Sequence, residues 1–68
     1  MKKIKIDTDH IKLDQLLKLA EIAQSGGHAK ILVLSEAVTV NGAVVHERGK
    51  KLRSGDVVVC EGQEVQVV

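Results

Sequence analysis

The 68-residue sequence contains no phenylalanine, tyrosine, tryptophan or proline, and its only cysteine is Cys60. A single thiol excludes an internal disulfide framework and favours a reducing compartment. No apolar run approaches the ~18 residues of a membrane span, and the basic N-terminus lacks the long apolar segment of a signal peptide. We therefore expect a soluble, cytoplasmic protein.

The missing aromatic residues also limit how this chain could hold a nucleic acid. Proteins that grip single strands usually stack the bases on aromatic rings. Without such rings, an RNA-binding protein would recognise the backbone and shape of a folded or duplex region. The composition therefore argues against a protein that holds splayed single-stranded bases.

Length and charge set the next bounds. A chain of 68 residues predicts one domain, residues 1–68, with a small core. The formal net charge is only +1, but four of the ten basic residues lie between His46 and Arg53. This basic segment could attract phosphate groups, or it could be an ordinary solvated loop.

The first half of the chain predicts one strand followed by two helices. Residues 3–6 alternate between polar and apolar, as in a strand with one buried face. The apolar residues between Leu13 and Ala23 follow helical spacing. Ser25-Gly26-Gly27 is expected to end that helix and to cap a second one over about residues 28–35.

The second half predicts short antiparallel strands. Asn41-Gly42 lies between β-branched runs and indicates a tight hairpin turn, because both residues tolerate a positive φ. Val57–Cys60 and residues 64–68 are predicted to form a closing hairpin around Gly62-Gln63. The predicted core contains the apolar face of the first helix with Leu32, Val38, Val40 and Val57.

Residues that could perform catalysis or bind a metal are sparse. Cys60 lies in an apolar run and is expected to be a small buried side chain. His10, His28 and His46 lie in different predicted elements and lack zinc-ligand spacing. We therefore expect no catalytic activity, no metal site and no cofactor.

The segment Gly26–Lys30 combines a predicted helix start with two glycines and two basic side chains. Free backbone N–H groups at a helix N-terminus attract anions, and glycine lets a phosphate come close. His28 and Lys30 would add donors from the first turn. The same residues could equally be a plain helix break, and the sequence leaves both interpretations open.

Four blocks of residues, taken together and in order, resemble the S4 RNA-binding domain family. The blocks are Leu13–Lys18, Ser25–Lys30, Val38–Gly42 and Arg48–Val58. They cover about residues 11–60, and the ends resemble the stand-alone, YaaA/YbcJ-like bacterial members. The resemblance implies an α+β fold in which two helices pack against a small, bent antiparallel sheet with short hairpins.

The same resemblance implies non-catalytic binding of structured RNA, with ribosomal RNA as the expected partner and ribosome assembly as the setting. It implies neither a membrane nor a small-molecule substrate, and a monomer is favoured. The RNA-binding candidates carried over by position are Ser25, Gly26, Gly27, His28, Lys30, Asn41, Arg48, Lys50, Lys51 and Arg53.

Two positions depart from the family pattern. Many members carry basic residues where this chain has Ser25–His28, so its helix start is less cationic. Glu36 occupies a position that is often glycine. A residue with a side chain there costs about 1 kcal/mol if φ is positive, and this one adds a negative charge near the expected RNA surface.

Two alternative functions remain open at this point. The valine-rich strand Val65–Val68 could add to the sheet of a partner, which would make the chain a protein-interaction module. The chain could also be an accessory module for a partner enzyme, because the resembled fold also occurs fused to RNA-modifying enzymes.

Overall fold

The computed structural model describes residues 1–68 and contains two helices and seven strands. In chain order these are β1 Lys2–Ile4, β2 Ile11–Lys12, α1 Leu13–Leu19, α2 Gly26–Leu34, β3 Val38–Val40, β4 Ala43–Val44, β5 Lys51–Leu52, β6 Val57–Cys60 and β7 Gln63–Val67. Five strands form a sheet in the order β1-β7-β6-β3-β4, while β2 and β5 form a separate ribbon. Neither helix is long and apolar enough to cross a membrane.

The five-stranded sheet consists of two hairpins, β3–β4 and β6–β7, and the N-terminal strand β1. The β3–β4 turn has positive φ at Asn41 (51°) and Gly42 (87°), and the β6–β7 turn has it at Glu61 (52°) and Gly62 (78°). Two consecutive positive φ angles match the twist of adjacent antiparallel strands. The α+β fold class is confirmed, although the second turn lies one residue earlier than predicted.

The N-terminal strand makes the sheet mixed. β1 pairs in parallel with β7, while the other pairs in this sheet are antiparallel. β7 is therefore an interior strand between β1 and β6. The prediction that Val65–Val68 adds to a partner's sheet is wrong, because both edges of this strand are already hydrogen-bonded within the chain.

One face of the sheet and both helices share a single core. The core contains eighteen buried residues, all of them apolar. Val58 and Cys60 point into the core from β6. Val57 and Val59 alternate with them along the strand and lie on the opposite face. Val57 was expected in the core and is instead half-buried on the outer face, because the alternation of the strand places Val58 inside.

Both helices end in the same way, at a glutamate. α1 stops four residues before Ala23 because Glu21 has φ of 62°. The Glu21 N–H donates to the Lys18 carbonyl at 3.0 Å, and the Ile22 N–H donates to Leu17 at 3.0 Å. These two bonds form a Schellman motif. The expectation that Gly26-Gly27 closes α1 is wrong, because both glycines lie in the first turn of α2.

The end of α2 repeats this arrangement. Glu36 has φ of 62°, its N–H donates to Val33, and the Ala37 N–H donates to Leu32. The suspected positive φ at Glu36 is thus confirmed. Glycine is the usual residue at such a position because it has no Cβ to clash. Each helix is therefore followed by a strained glutamate at a position where glycine would be more stable.

We predict that Glu21→Gly raises the free energy of unfolding by about 1 kcal/mol, because it removes the Cβ strain at positive φ. Urea denaturation measures the change. Glu21→Gln is the matched control, since it removes the charge and keeps the strained backbone. Equal stabilisation by both variants would show that charge, and not backbone strain, limits stability there.

Candidate nucleic-acid interface

The start of α2 presents backbone N–H groups to solvent. The Ser25 hydroxyl accepts the His28 N–H at 3.1 Å, and the Ser25 carbonyl accepts the Ala29 N–H at 3.0 Å. The N–H groups of Gly26 and Gly27 have no carbonyl acceptor within the helix, because no helical turn comes before them. A Cβ at Gly26 would meet nothing within 4 Å, and one at Gly27 would meet only the Ser25 hydroxyl, at 3.8 Å. Packing therefore does not require glycine at either position. Because neither residue has a side chain, an anion can approach both N–H groups closely.

Two basic side chains accompany these amides. The His28 Nδ1 accepts the Gln24 N–H at 3.1 Å, so Nδ1 carries no proton in this arrangement. The proton of the neutral ring then lies on Nε2, which is available as a donor. Lys30 is exposed and forms no ion pair. Ser25, in contrast, uses its hydroxyl as the helix cap.

The basic loop, residues 46–53, is fixed to the first turn of α1. The Lys50 carbonyl accepts the Leu13 N–H and the Arg48 carbonyl accepts the Asp14 N–H, both at 2.9 Å. The backbone is therefore anchored while the side chains stay exposed. Arg48, Lys50 and Lys51 form no ion pair with any carboxylate. The loop thus presents three cations that are free to bind an anion.

Asn41 and Arg53 are already engaged within the chain. The Asn41 amide donates to Asp56 at 3.0 Å, and its oxygen accepts the Val57 N–H at 2.9 Å. Asp56 also accepts the Arg53 N–H at 2.9 Å, while the Arg53 guanidinium contacts Asp9 at 2.7 Å. These contacts hold two turns together. An RNA contact by Asn41 or Arg53 stays a prediction, and it would compete with these partners.

The predicted residues form two groups at the two ends of α1. The basic loop contacts the first turn of α1, and its far end meets the β3–β4 turn through Asp56. The start of α2 follows the C-terminal end of α1, and the seven residues of α1 span about 10 Å. The Glu36 carboxylate is within hydrogen-bond distance of His46, whose Nε2 lies 3.0 Å away.

Lys12 is a candidate that the sequence did not indicate. In the β2–β5 ribbon, Lys12 lies directly opposite Lys51, and both side chains are exposed. Like charges at directly opposed positions repel each other, and an anion bound between them would relieve that repulsion. Two-residue strands leave no periodic pattern in a sequence, so only the observed register brings these lysines together.

No group of His, Cys, Asp or Glu side chains is arranged to hold a metal ion. Cys60 is buried in β6, and burial raises the pKa of its thiol. The thiolate that would act as a nucleophile or metal ligand is therefore disfavoured. His10, His28 and His46 lie in three separate parts of the chain and make different local contacts.

The family comparison assigns the class of protein. The S4 domain model matches residues 4–68. This chain therefore belongs to the S4 domain family. The match extends beyond residues 11–60, where the resemblance was visible in the sequence, and it includes β7.

Individual relatives agree with this assignment. The chain is 51% identical over 59 residues to the “Probable ribosome maturation protein RlbA” of Bacillus subtilis, covering 87% of this chain and 83% of that protein. It is 41% identical over 59 residues to the “Putative RNA-binding protein YbcJ” of Escherichia coli, covering 87% and 84%. The solution structure of E. coli YbcJ, described as having an αL motif involved in RNA binding, matches with a TM-score of 0.77 at 36% identity. That match covers 100% of this chain and 87% of the other.

The two turns joined by Asp56 should depend on pH. Hydrogen bonds from the Arg53 backbone and the Asn41 amide hold the pKa of Asp56 below its ordinary value of 3.8. The ionised carboxylate is thus bound more tightly in the folded state than in the unfolded one. This contribution to stability is present above pH 3.8 and is lost as pH falls through the lower, folded-state pKa.

We predict that Asp56→Asn lowers the free energy of unfolding at pH 7, and that the difference from wild type shrinks as pH falls below 3.8. Urea denaturation across this pH range measures both curves. Asp7→Asn is the control, because Asp7 makes no side-chain hydrogen bond or ion pair within the chain. A pH-independent deficit in Asp56→Asn would mean that the charge of Asp56 does not matter.

Proposed function

We propose that this chain binds structured RNA without catalysing a reaction, and that its partner is ribosomal RNA in a maturing cytoplasmic ribosome. Membership of the S4 domain family supports RNA binding, and so do the names of the relatives. The ribosomal partner is suggested by the relative named for ribosome maturation. The observation that carries the proposal is the anchored loop with three unpaired cations, Arg48, Lys50 and Lys51.

The geometry suits recognition of an RNA backbone. The hydrogen bonds from Leu13 and Asp14 hold the loop in place, so little backbone freedom is lost when its cations meet phosphates. The open amides of Gly26 and Gly27 add neutral donors at the other end of α1. These groups contact phosphates and do not identify bases, so the duplex would be recognised through its shape.

The test is fluorescence anisotropy with a panel of structured ribosomal RNA fragments, titrated with salt beside a single-stranded control. Four to six phosphate contacts predict a steep loss of affinity with salt, with a log–log slope of roughly −3 to −5. A salt-sensitive preference for folded fragments is expected. If no fragment binds at low salt, the proposed function is wrong and a protein partner becomes the next hypothesis.

Replacing Arg48, Lys50 and Lys51 together by Gln should weaken binding to every structured RNA by at least about tenfold at low salt. The salt slope should become shallower by roughly two to three, because up to three phosphate contacts are lost. Circular dichroism verifies folding, since these side chains make no internal hydrogen bond. A triple variant with wild-type affinity would refute the role of the basic loop.

Lys12→Gln should change stability and binding in opposite directions. Removing the repulsion with Lys51 should stabilise the fold by about 0.2–1 kcal/mol, while losing one phosphate contact should reduce the salt slope by about one. Urea denaturation and anisotropy measure the two effects. Lys3→Gln is the control, because Lys3 lies opposite Gln66 on the outer sheet face. Weaker binding by this control would indicate a non-specific effect of net charge.

A further inference from the structure

A concave surface lies outside the predicted RNA-binding residues. This groove has a volume of about 580 Å³ and runs between the N-terminal segment, residues 5–11, and the exposed side of α1. None of the ten predicted site residues lines it. Its volume falls in the range of small-ligand sites, ~300–1,000 Å³.

The apolar part of the groove lining is aliphatic. Ile6 is half-buried, Ile11 is buried, and Leu19 is 58% exposed although it belongs to an otherwise well-packed helix. Apolar side chains can cover the face of an extruded base in place of aromatic rings. The absence of Phe, Tyr and Trp excludes stacking on rings, but it does not exclude this aliphatic surface.

The rim of the groove carries charges suited to a nucleotide. Lys5 lies on the N-terminal segment and Lys18 on α1, and neither forms an ion pair. Gln15 adds an exposed amide that can donate and accept hydrogen bonds. Asp7 is the one lining acid, and a carboxylate can accept a bond from a ribose hydroxyl. The two ammonium groups outnumber this acid, so phosphate is attracted overall.

The N-terminal segment that lines the groove lies beside the basic loop. Ile11 lines the groove and pairs with Leu52, and the next pair in the same ribbon is Lys12 with Lys51. The ion pair between Asp9 and Arg53 joins the N-terminal segment to the basic loop. Because Lys12 and Lys51 point away from the buried face that holds Ile11, this ion pair is the contact that brings an RNA bound to the basic loop near the groove.

We propose that this groove receives one unpaired nucleotide next to the RNA stem. Its base covers Ile6, Ile11 and Leu19, and its phosphate lies between Lys5 and Lys18. This inference rests on the proposed function and names a second part of the same RNA. It predicts that the chain distinguishes a stem with an adjacent unpaired nucleotide from a stem without one.

The test is a double-mutant cycle between the groove and the RNA. Anisotropy compares a ribosomal RNA stem-loop from the panel that has one unpaired nucleotide beside the stem with the same stem-loop lacking it. Wild type should lose roughly five- to tenfold in affinity when this nucleotide is deleted, which is the lower end of the contribution of one stacked base. Lys18→Gln and Leu19→Ser should show little or no loss on deletion. Both side chains are exposed and make no side-chain hydrogen bond, so the variants should fold.

Lys3→Gln is the matched control and should show the wild-type loss. An equal loss in wild type and in both groove variants, or no loss in wild type, would overturn the groove assignment while leaving the proposed function intact. If wild type binds no stem-loop at all, both proposals fail. In a second arm, adenosine 5′-monophosphate is titrated by NMR. Chemical-shift changes at Lys18 and Leu19, combined with an equal loss of affinity in wild type and groove variants when the RNA nucleotide is deleted, would mean that the groove binds a free nucleotide and not the RNA.

Discussion

The attachment of the basic loop to the first turn of α1 is the constraint on which the candidate surface depends. The two hydrogen bonds from Leu13 and Asp14 satisfy amides that a helix start leaves without partners, and they fix the backbone of the loop. The β2–β5 ribbon continues the same attachment with two residue pairs, Ile11 with Leu52 and Lys12 with Lys51. As a result, the backbone of the basic loop is anchored, while the side chains of Arg48, Lys50 and Lys51 remain free of ion pairs.

The fold accepts strain and repulsion at several places around this surface. Glu36 occupies a left-handed conformation at the end of α2, and its carboxylate is within hydrogen-bond distance of His46 in the basic loop. Lys12 and Lys51 oppose each other without a carboxylate between them. Such features cost stability in the free protein, and they persist because the buried apolar core holds the surrounding elements in place. An RNA phosphate would relieve the repulsion between Lys12 and Lys51. It would not relieve the backbone strain at Glu36.

Individual residues show how far the sequence could be interpreted. The Asn41-Gly42 turn was predictable because its backbone requirement is local and few residue types meet it. Gly26 and Gly27 were correctly placed at a helix start, but the end of α1 was misassigned because a glutamate at positive φ has no sequence signal. An RNA contact by Asn41 stays a prediction, and the sequence did not indicate that its amide is bound to Asp56 and Val57, which are distant in the chain.

The sequence by itself determined the fold class, the family and the basic segment, because these depend on local propensity, hydrophobic periodicity and the order of recognisable blocks. The tertiary structure alone decided which cations are free. It pairs Arg53 with Asp9, opposes Lys12 to Lys51, and places β7 inside the sheet. It also forms the groove between α1 and the N-terminal segment. Each of these depends on strand register or on contacts between distant residues, and neither is set by local sequence.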